Sequence, residues 1–214
     1  MALRYEQLQP TDLNAADWRQ LQTVSRAAFS VELKHRTPDE IDNLTLWNDP
    51  ERYYDSHIDP NSEVGKHFST DQSFTVPRVC LAFDGDEKIG FGYAAHNVSG
   101  SNPLVRAAKL AGWTHKYYWI REVAVHPEYM RYGIGTRILN GLLMSANLNQ
   151  PSSAYVWPDE IPFLQNKLEQ VGFEPKEDKP AMIYGPGSEP VREIRMVAQH
   201  VASSIMNHLG KNLE

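Results

Sequence analysis

The chain has 214 residues, a formal net charge of -6 and a single cysteine, Cys80. This length suits one well-packed domain with additions, and the negative charge argues against a nucleic-acid-binding protein, which needs a basic face. One cysteine excludes an internal disulfide, and there is neither a signal peptide nor an apolar run of about 18 residues, so we expect a cytoplasmic protein that does not associate with membranes.

The predicted elements mix strands and helices along the chain. In order, we expect a strand over 3–8, a helix over 12–29, helical starts at Thr37 and near Asp49, a hairpin of strands over 79–83 and 89–96, a short helix over 99–111, a strand over 119–125 followed by a loop and a helix, a strand over 153–157, a helix over 159–171 and a closing strand over 181–184. This order predicts a mixed α/β (α+β) domain over residues 1–185. Two connections, 31–75 and 98–118, are long and rich in aromatic residues.

The residues after Tyr184 show a different pattern. Gly185-Pro186-Gly187 interrupts the chain, and apolar residues then recur at three- and four-residue steps, at Val191, Ile194, Val197, Ala198, Val201, Ile205 and Leu209. Such spacing predicts an amphipathic helix in a C-terminal extension over 186–214. Its apolar stripe must be covered. It either packs against the chain's own sheet, or serves as a contact in a homodimer or as a lid.

The most informative stretch runs from Trp119 to Leu139 as strand, loop and helix. Val123 and Val125 alternate with Glu122 and Ala124, which is strand periodicity. Two glycines, Gly133 and Gly135, leave the first turn of the following helix without large side chains. Main-chain amides at a helix N-terminus bind anions, with help from the helix dipole. We therefore predict a phosphate site here, to which Arg131 and Arg137 add positive charge.

Two other phosphate-binding loops fit this stretch poorly. A dinucleotide-binding turn needs its first glycine directly after the strand and a third where Ile138 stands, but seven residues, 126–132, precede Gly133. A Walker-type loop needs Gly-Lys-Ser/Thr, which does not follow. An ordinary glycine-bearing loop is the remaining alternative.

Residues 125–135, Val-His-Pro-Glu-Tyr-Met-Arg-Tyr-Gly-Ile-Gly, resemble the pyrophosphate loop of the GNAT family of N-acetyltransferases, which bind acetyl-CoA. The loop matches without a gap, although Met130 and Arg131 stand where the family usually has Arg or Gln and then Gly. The resemblance implies acetyl-CoA as cosubstrate. It implies coenzyme contacts from the end of the strand and from the loop, at Val123, Ala124, Val125, Arg131, Tyr132, Gly133, Ile134, Gly135, Thr136 and Arg137.

The resemblance also implies a fold and a missing group. A GNAT-like chain has a central mixed, mostly antiparallel sheet flanked by helices, to which the C-terminal amphipathic helix would be added. The stretch 168–173 resembles the family's helix ending, and there Leu168 stands in place of a Tyr that often protonates the departing coenzyme thiolate. That acid is therefore absent here or supplied by another residue.

Acetyl transfer to an amine requires a proton acceptor, because a lysine-like amine with a pKa near about 10 is mostly protonated at neutral pH. Glu122 on the coenzyme strand is the leading candidate for this base, with a surface ion pair beside Arg121 as the alternative role. The family implies a main-chain amide close to Val125 facing the thioester carbonyl. Tyr155 and Tyr184, on strands expected near the cleft, could replace the missing acid, or could be packing residues.

We expect no metal, because Asp55, His57 and Asp59 alternate in a polar loop without a second ligand group. The predicted function is transfer of an acetyl group from acetyl-CoA to a primary amine of a small molecule or peptide, by direct attack on the thioester. A non-catalytic acyl-CoA-binding regulatory module is the alternative. A third reading, a nucleotide-binding protein, predicts affinity for NAD or ATP instead of CoA.

Overall fold

A computed structural model describes residues 3–9, 12–44, 78–96, 118–145, 151–184 and 187–198. Its strands are β1 (Leu3–Leu8), β2 (Arg78–Asp84), β3 (Glu87–His96), β4 (Tyr118–Val125), β5 (Ser152–Val156), β6 (Glu174–Ala181) and β7 (Val191–Ala198). Its helices are α1 (Ala15–Glu32), α2 (Pro38–Leu44), α3 (Ile134–Ser145) and α4 (Pro162–Gln170), with a 3-10 turn at Pro127–Tyr129. Most of the predicted elements are therefore confirmed within a few residues.

The strands form one seven-stranded sheet in the order β1-β2-β3-β4-β5-β7-β6. All neighbours are antiparallel except β4 and β5, which run parallel. The predicted mixed, mostly antiparallel sheet flanked by helices is confirmed. The single parallel pair places the ends of β4 and β5 at the same edge of the sheet.

Helices cover both faces of this sheet. On one face, α1 packs through an apolar group that we call the α1 cluster, which includes Trp18, Leu21, Val24, Phe83, Phe91, Tyr93 and Ala124. On the other, α3 and α4 pack through the α3 cluster, which includes Ala82, Ile89, Ile120, Ile138, Leu142, Ala154, Leu168 and Met196. Membership in the α1 or the α3 cluster therefore shows on which face of the sheet each β4 side chain lies.

Helix α1 begins three residues later than the sequence pattern predicts. Asn14 caps it, because its side chain accepts hydrogen bonds from the amides of Ala16 and Asp17 at 2.8 and 3.0 Å, while the Asp17 carboxylate accepts from the Asn14 amide at 3.0 Å. This reciprocal arrangement satisfies amides that the first helical turn leaves unpaired. The Asn14 cap thus determines where α1 starts, and the spacing of apolar residues gives no information about it.

Gly92 lets α3 approach the sheet closely. A Cβ atom at this position of β3 would lie 2.5 Å from the Cγ2 atom of Ile138 and 2.7 Å from a Cδ1 atom of Leu142. Distances of that size are far inside van der Waals contact, so an alanine would force helix and strand apart. The close seat of α3 fixes where its N-terminus lies relative to the end of β4.

The predicted C-terminal helix is wrong over the part that the structure describes. Residues Val191–Ala198 form β7, which lies between β5 and β6 in the sheet. The boundary predicted at residue 185 therefore separates two adjacent strands of one sheet. Apolar side chains on both faces of an interior strand hide the two-residue alternation, and the remaining spacing then imitates a helix.

The closing strand predicted at 181–184 is also wrong, because β6 ends at Ala181 and the chain turns at 183–184. The strand lies earlier, at Glu174–Ala181, and almost all its residues are exposed. It is an edge strand with charged residues and two prolines, Pro175 and Pro180, which is a common way to prevent further strand pairing. Because β6 has no pattern of apolar residues, this strand could not be predicted from the sequence.

Several predictions lie outside the described residues. These are the helical start near Asp49, the helix at 99–111, the polar loop with Asp55, His57 and Asp59, and the apolar positions 201–209. The helical start at Thr37 is confirmed as α2. None of the helices that the structure describes is both long enough and apolar enough to cross a membrane.

Candidate active site

Strands β4 and β5 separate partway along their length. They pair at Tyr118, Trp119 and Ile120, opposite Ser152, Ser153 and Ala154, and the register ends there. The rest of β4, from 122 to 125, is paired only with β3 within the described parts of the chain. Main-chain groups along that edge of β4 therefore face an opening in the sheet, which can accept an extended ligand.

A β-bulge in β4 determines the direction of Glu122. Tyr93 pairs with Glu122 and Ala94 pairs with Ile120, so Arg121 is an extra residue opposite β3. Strict alternation from Ile120, which belongs to the α3 cluster, would place Glu122 on the α3 face. The extra residue moves it to the α1 face, together with Tyr93 and Ala124.

The Glu122 side chain is buried, with 7% of its surface exposed. It accepts a hydrogen bond at Oε1 from the hydroxyl of Ser25, a fully buried residue of α1. A buried carboxylate needs such donors, since burial removes the water that would otherwise solvate it. Glu122 is thus held inside the protein, beside the opening, and is not an exposed surface residue.

The loop between β4 and α3 presents main-chain amides. The first described hydrogen bond of α3 runs from the Arg137 amide to the Gly133 carbonyl at 3.1 Å. The amides of Ile134, Gly135 and Thr136 therefore precede the helical bonding pattern and can bind an anion. A Cβ atom at Gly135 would lie 3.6 Å from the Cγ2 atom of Val125, and Gly133 adopts a φ of 76°, so the loop turns tightly beside the end of β4.

Two arginines border these amides in different ways. Arg131 is exposed and has a φ of 70°, in the left-handed region that glycine favours. This conformation would suit the glycine that the sequence resemblance leads one to expect at this position. Arg137 is exposed as well, but its guanidinium carbon lies 5.8 Å from the centroid of the Tyr5 ring, on the β1 side of α3.

The other predicted coenzyme residues divide between main-chain and side-chain roles. Val123 and Val125 pack against the α3 cluster, and Ala124 is buried in the α1 cluster. Ile134 is buried as well, so these four residues could offer only main-chain groups to a ligand. Tyr132 and Thr136 expose their side chains. Met130, which replaces a polar residue of relatives, packs against the α1 cluster.

Tyr155 lies on the same face of the sheet as Glu122. Its neighbours in β5, Ala154 and Val156, both belong to the α3 cluster, so Tyr155 points to the opposite face. It is half-buried, and the Nζ atom of Lys179 lies 5.8 Å from its ring centroid. Tyr155 therefore flanks the opening between β4 and β5 from the β5 side.

Tyr184 belongs to a separate buried network. Its hydroxyl donates to Oε2 of Glu160 at 2.7 Å, and the guanidinium carbon of Arg36 lies 4.3 Å from its ring centroid. Arg36 also donates to both Glu160 oxygens, and His35 Nε2 lies 2.9 Å from Oε2. The structure thus places Tyr184 in a turn, away from the strand position expected for it, with its hydroxyl hydrogen-bonded to Glu160.

Ionisation in this network follows from its geometry. Burial by itself raises the pKa of Glu160, but the hydrogen bonds from Arg36, Tyr184 and His35 outweigh burial and hold the pKa at about 2. Burial raises the pKa of Tyr184, and its hydrogen bond to the Glu160 carboxylate raises it further. Glu160 is therefore a buried anion, and Tyr184 is a poor source of a proton.

Leu168, for which the sequence resemblance implies an acidic tyrosine in the GNAT family, has an aliphatic side chain. It is buried in the α3 cluster, and its carbonyl accepts hydrogen bonds from the amides of Val171 and Phe173 at 3.1 and 3.0 Å. Gly172 adopts a φ of 92° and ends α4, as its sequence position predicts. Leu168 therefore stabilises the helix end and offers no proton.

Comparison with known proteins identifies the family to which the chain is similar. Residues 39–150 match the family model described as the Acetyltransferase (GNAT) family. No curated protein sequence matches the chain. Solved structures with a similar fold include Escherichia coli ElaA, at 16% identity and a TM-score of 0.53 over 92% of this chain and 99% of that one. A GNAT-family acetyltransferase from Streptococcus pneumoniae matches at 15% identity and 0.54, over 92% and 98%.

A third structure, yncA of Salmonella typhimurium, was solved with its cofactor acetyl-CoA. It shares 13% identity and a TM-score of 0.55 with this chain, over 93% of this chain and 94% of that one. These identities establish similarity of fold.

Proposed function

The chain belongs to the GNAT family of N-acetyltransferases, and we propose that it moves an acetyl group from acetyl-CoA to a primary amine, which attacks the thioester directly. One observation carries the proposal: the sheet opens between β4 and β5 with a buried carboxylate, Glu122, beside the opening and an anion-binding loop at its end. A thioester coenzyme with a diphosphate needs both a long slot and an anion site, and an amine needs a base.

The diphosphate fits the N-terminus of α3. Amides of Ile134, Gly135 and Thr136 supply hydrogen-bond donors there, and the helix dipole favours negative charge. Arg131, exposed near the end of the loop, adds a positive charge. The pantetheine arm would lie along the edge of β4 that β5 leaves unpaired, beside Val123, Ala124 and Val125.

Glu122 is the proposed proton acceptor. As the amine nitrogen bonds to the acetyl carbon, the C–S bond breaks and the nitrogen loses a proton, which Glu122 takes directly or through water. Negative charge that develops on the carbonyl oxygen would be stabilised by a main-chain amide close to Val125. The departing thiolate then requires a proton, or leaves as the anion.

Tyr155 is the proposed donor of that proton. It shares the face of Glu122 and stands across the opening from it. Tyr184 was the other candidate, but its hydrogen bond to Glu160 and its raised pKa make it unsuitable. The family acts on small-molecule or peptide acceptors, and we propose a primary amine of one of these classes as the substrate. We further propose that the chain works in the cytoplasm without metal, nucleic acid or membrane.

Calorimetric titration with acetyl-CoA, with NAD and ATP as controls, tests the coenzyme site. We expect stoichiometric binding of acetyl-CoA in the micromolar range and no binding of the other two. Free thiol release is then measured against a set of primary amines at saturating acetyl-CoA. Binding of NAD or ATP without acetyl-CoA would contradict the proposal.

Substitution of Glu122 separates an enzyme from a binding module. Glu122→Gln should lower kcat by about 100-fold, since a general base contributes roughly 10²- to 10⁴-fold, and should leave acetyl-CoA affinity unchanged. Glu87→Gln, an exposed carboxylate in the β2–β3 hairpin, is the matched control and should retain full activity. The unmodified protein could also bind acetyl-CoA tightly and acetylate no amine. That result would favour a non-catalytic module, an alternative that the absence of a tyrosine at Leu168 also supports.

A further inference from the structure

Ser25 interrupts the apolar stripe of α1. Leu21 and Ala28, four residues before it and three after it, are buried against the sheet, and Ser25 itself has no exposed surface. An alanine would fill this position without burying a hydroxyl, and a buried hydroxyl is costly unless it is hydrogen-bonded. The partner that the fold provides is the Glu122 carboxylate on β4, 97 residues later in the chain.

We propose that Ser25 is a positioning residue for Glu122, which fixes the carboxylate of the proposed base in the orientation that receives the proton of the amine. The inference rests on the proposed function, because it assigns Ser25 a role through Glu122. A hydroxyl that donates to Oε1 restricts rotation of the carboxylate and so directs Oε2. It also stabilises the ionised form, which is the form that acts as a base.

The contact joins two elements that form the site. The bulge at Arg121 places the Glu122 side chain on the face of the sheet that α1 covers. There the Ser25 hydroxyl of α1 donates a hydrogen bond to it. Val24, next to Ser25 in sequence, and Ala124, two residues after Glu122, both belong to the apolar α1 cluster. A precisely oriented carboxylate supported from a rigid helix is what a general base requires.

Among the described residues, the titratable groups on this face of the sheet include two tyrosines and Arg195 of β7, the cross-strand partner of Tyr155. Tyr93, the cross-strand partner of Glu122 on β3, is buried, and Tyr155 lies across the opening on β5. On α1 the charged side chains nearest in sequence to Ser25, Arg19 and Arg26, are exposed. A change in the titration of Glu122 after a substitution at Ser25 therefore reports the lost hydroxyl, provided that Tyr93 and Tyr155 are unchanged.

A double-mutant cycle tests the role in turnover. Free thiol release is measured with acetyl-CoA and 2-phenylethylamine, or the fastest amine of the set described above, for the unmodified protein, Ser25→Ala, Glu122→Gln and the double variant. We expect Ser25→Ala to lower kcat roughly tenfold with the KM for acetyl-CoA unchanged, and to lower it no further in the Glu122→Gln background. Losses that multiply in the double variant would overturn the inference.

The matched control is Val24→Ala, which removes buried volume from the same helix without touching Glu122. It should destabilise the fold and leave kcat unchanged, so a fall in kcat with Val24→Ala would mean that general loosening of α1 explains the effect of Ser25→Ala. If Glu122→Gln retains full turnover, the proposed base is wrong. If Glu122→Gln loses turnover and Ser25→Ala does not, only the role of Ser25 is wrong.

Carbon NMR provides a second readout that needs no acceptor. In protein labelled at glutamate side-chain carboxyl carbons, the Glu122 signal is assigned by its disappearance in Glu122→Gln, and its titration is followed with pH. Loss of the donated hydrogen bond should move the midpoint to higher pH in Ser25→Ala, while Val24→Ala leaves it in place. An unchanged midpoint in Ser25→Ala would contradict the contact on which the inference depends.

Discussion

Glu122 and Tyr155 lie on the same face of the sheet, on the two strands that separate beyond the Ile120–Ala154 pair. Two features are needed for this relationship. The bulge at Arg121 moves Glu122 to the α1 face, and β5, which has no bulge in its pairing with β7, keeps Tyr155 there by simple alternation. The proposed base and the proposed acid therefore flank one opening, on either side of the slot in which the thioester would lie.

Gly133→Ala should weaken acetyl-CoA binding by at least about tenfold. Gly133 has a φ of 76°, and a Cβ atom there would meet no atom within 4 Å, so the effect comes from backbone conformation and not from a clash. An L-residue in this region costs about 1 kcal/mol, and this strain should displace the amides that we propose bind the diphosphate. Calorimetry measures the affinity, and urea unfolding measures the free energy of unfolding.

Gly187→Ala is the matched control for that substitution. Gly187 has a φ of 86° and equally open surroundings, but it lies before β7, in another part of the chain. Both variants should lose a similar free energy of unfolding, and only Gly133→Ala should lose affinity. Equal affinity in the two variants would contradict a coenzyme site at the N-terminus of α3.

Arg131→Gly should separate charge from conformation in the same loop. Glycine accommodates the φ of 70° without strain, so the free energy of unfolding should change by less than about 1 kcal/mol. Affinity for acetyl-CoA should fall, and its dependence on salt should become weaker, because a cation near the diphosphate is lost. Titrations at low and high ionic strength measure this. An affinity that is unchanged at low salt would show that Arg131 does not contact the phosphates.

Tyr155→Phe should affect turnover, whereas Tyr184→Phe should affect stability. Tyr155→Phe should lower kcat by about 10- to 100-fold with little change in stability, because it removes the proposed acid from the opening. Tyr184→Phe removes the hydrogen bond to Glu160 and should cost about 1–2 kcal/mol of unfolding free energy while kcat is retained. The two variants are compared by thiol release and by urea unfolding. Loss of kcat with Tyr184→Phe alone would reverse the assignment.

The Glu160 network should make stability depend on pH in the acid range. The folded-state pKa of about 2 lies below the usual value of 4.5, so the contribution is fully present above about pH 4.5 and is lost as pH falls towards about 2. The difference between the two values corresponds to about 3 kcal/mol. Urea unfolding between pH 7 and pH 3 should therefore show a steeper fall for the unmodified protein than for Glu160→Gln. Parallel curves would contradict the buried ion pair, and Glu169→Gln, exposed on α4, serves as control.

The part of the fold that carries the proposed coenzyme site could be predicted well from sequence, for physical reasons. A strand, a glycine loop and an amphipathic helix follow each other from Trp119 to Leu139, and each depends on local rules of periodicity and turn formation. The structure agrees with these rules: α3 buries Ile138 and Leu142 against the sheet, as the spacing of its apolar residues predicts. The hairpin of β2 and β3 was predictable in the same way.

The remaining features depend on contacts distant in sequence. The pairing of Ser25 with Glu122 joins residues 97 positions apart, and Glu160 meets Arg36 across 124 positions. Strand β7 was mistaken for a helix because apolar residues occur on both its faces, and β6 was missed because it lies exposed at the edge. The bulge at Arg121 leaves no mark in the residue pattern, although it determines where Glu122 points.

The most direct test of the central claim is detection of the acetylated amine by mass spectrometry, after incubation of the unmodified protein with acetyl-CoA and a set of primary amines. The account predicts an acetylated product that forms in a one-to-one ratio with free CoA thiol and falls about 100-fold with Glu122→Gln. Acetyl-CoA binding by the folded protein without any acetylated amine, or equal product from Glu122→Gln, would contradict it.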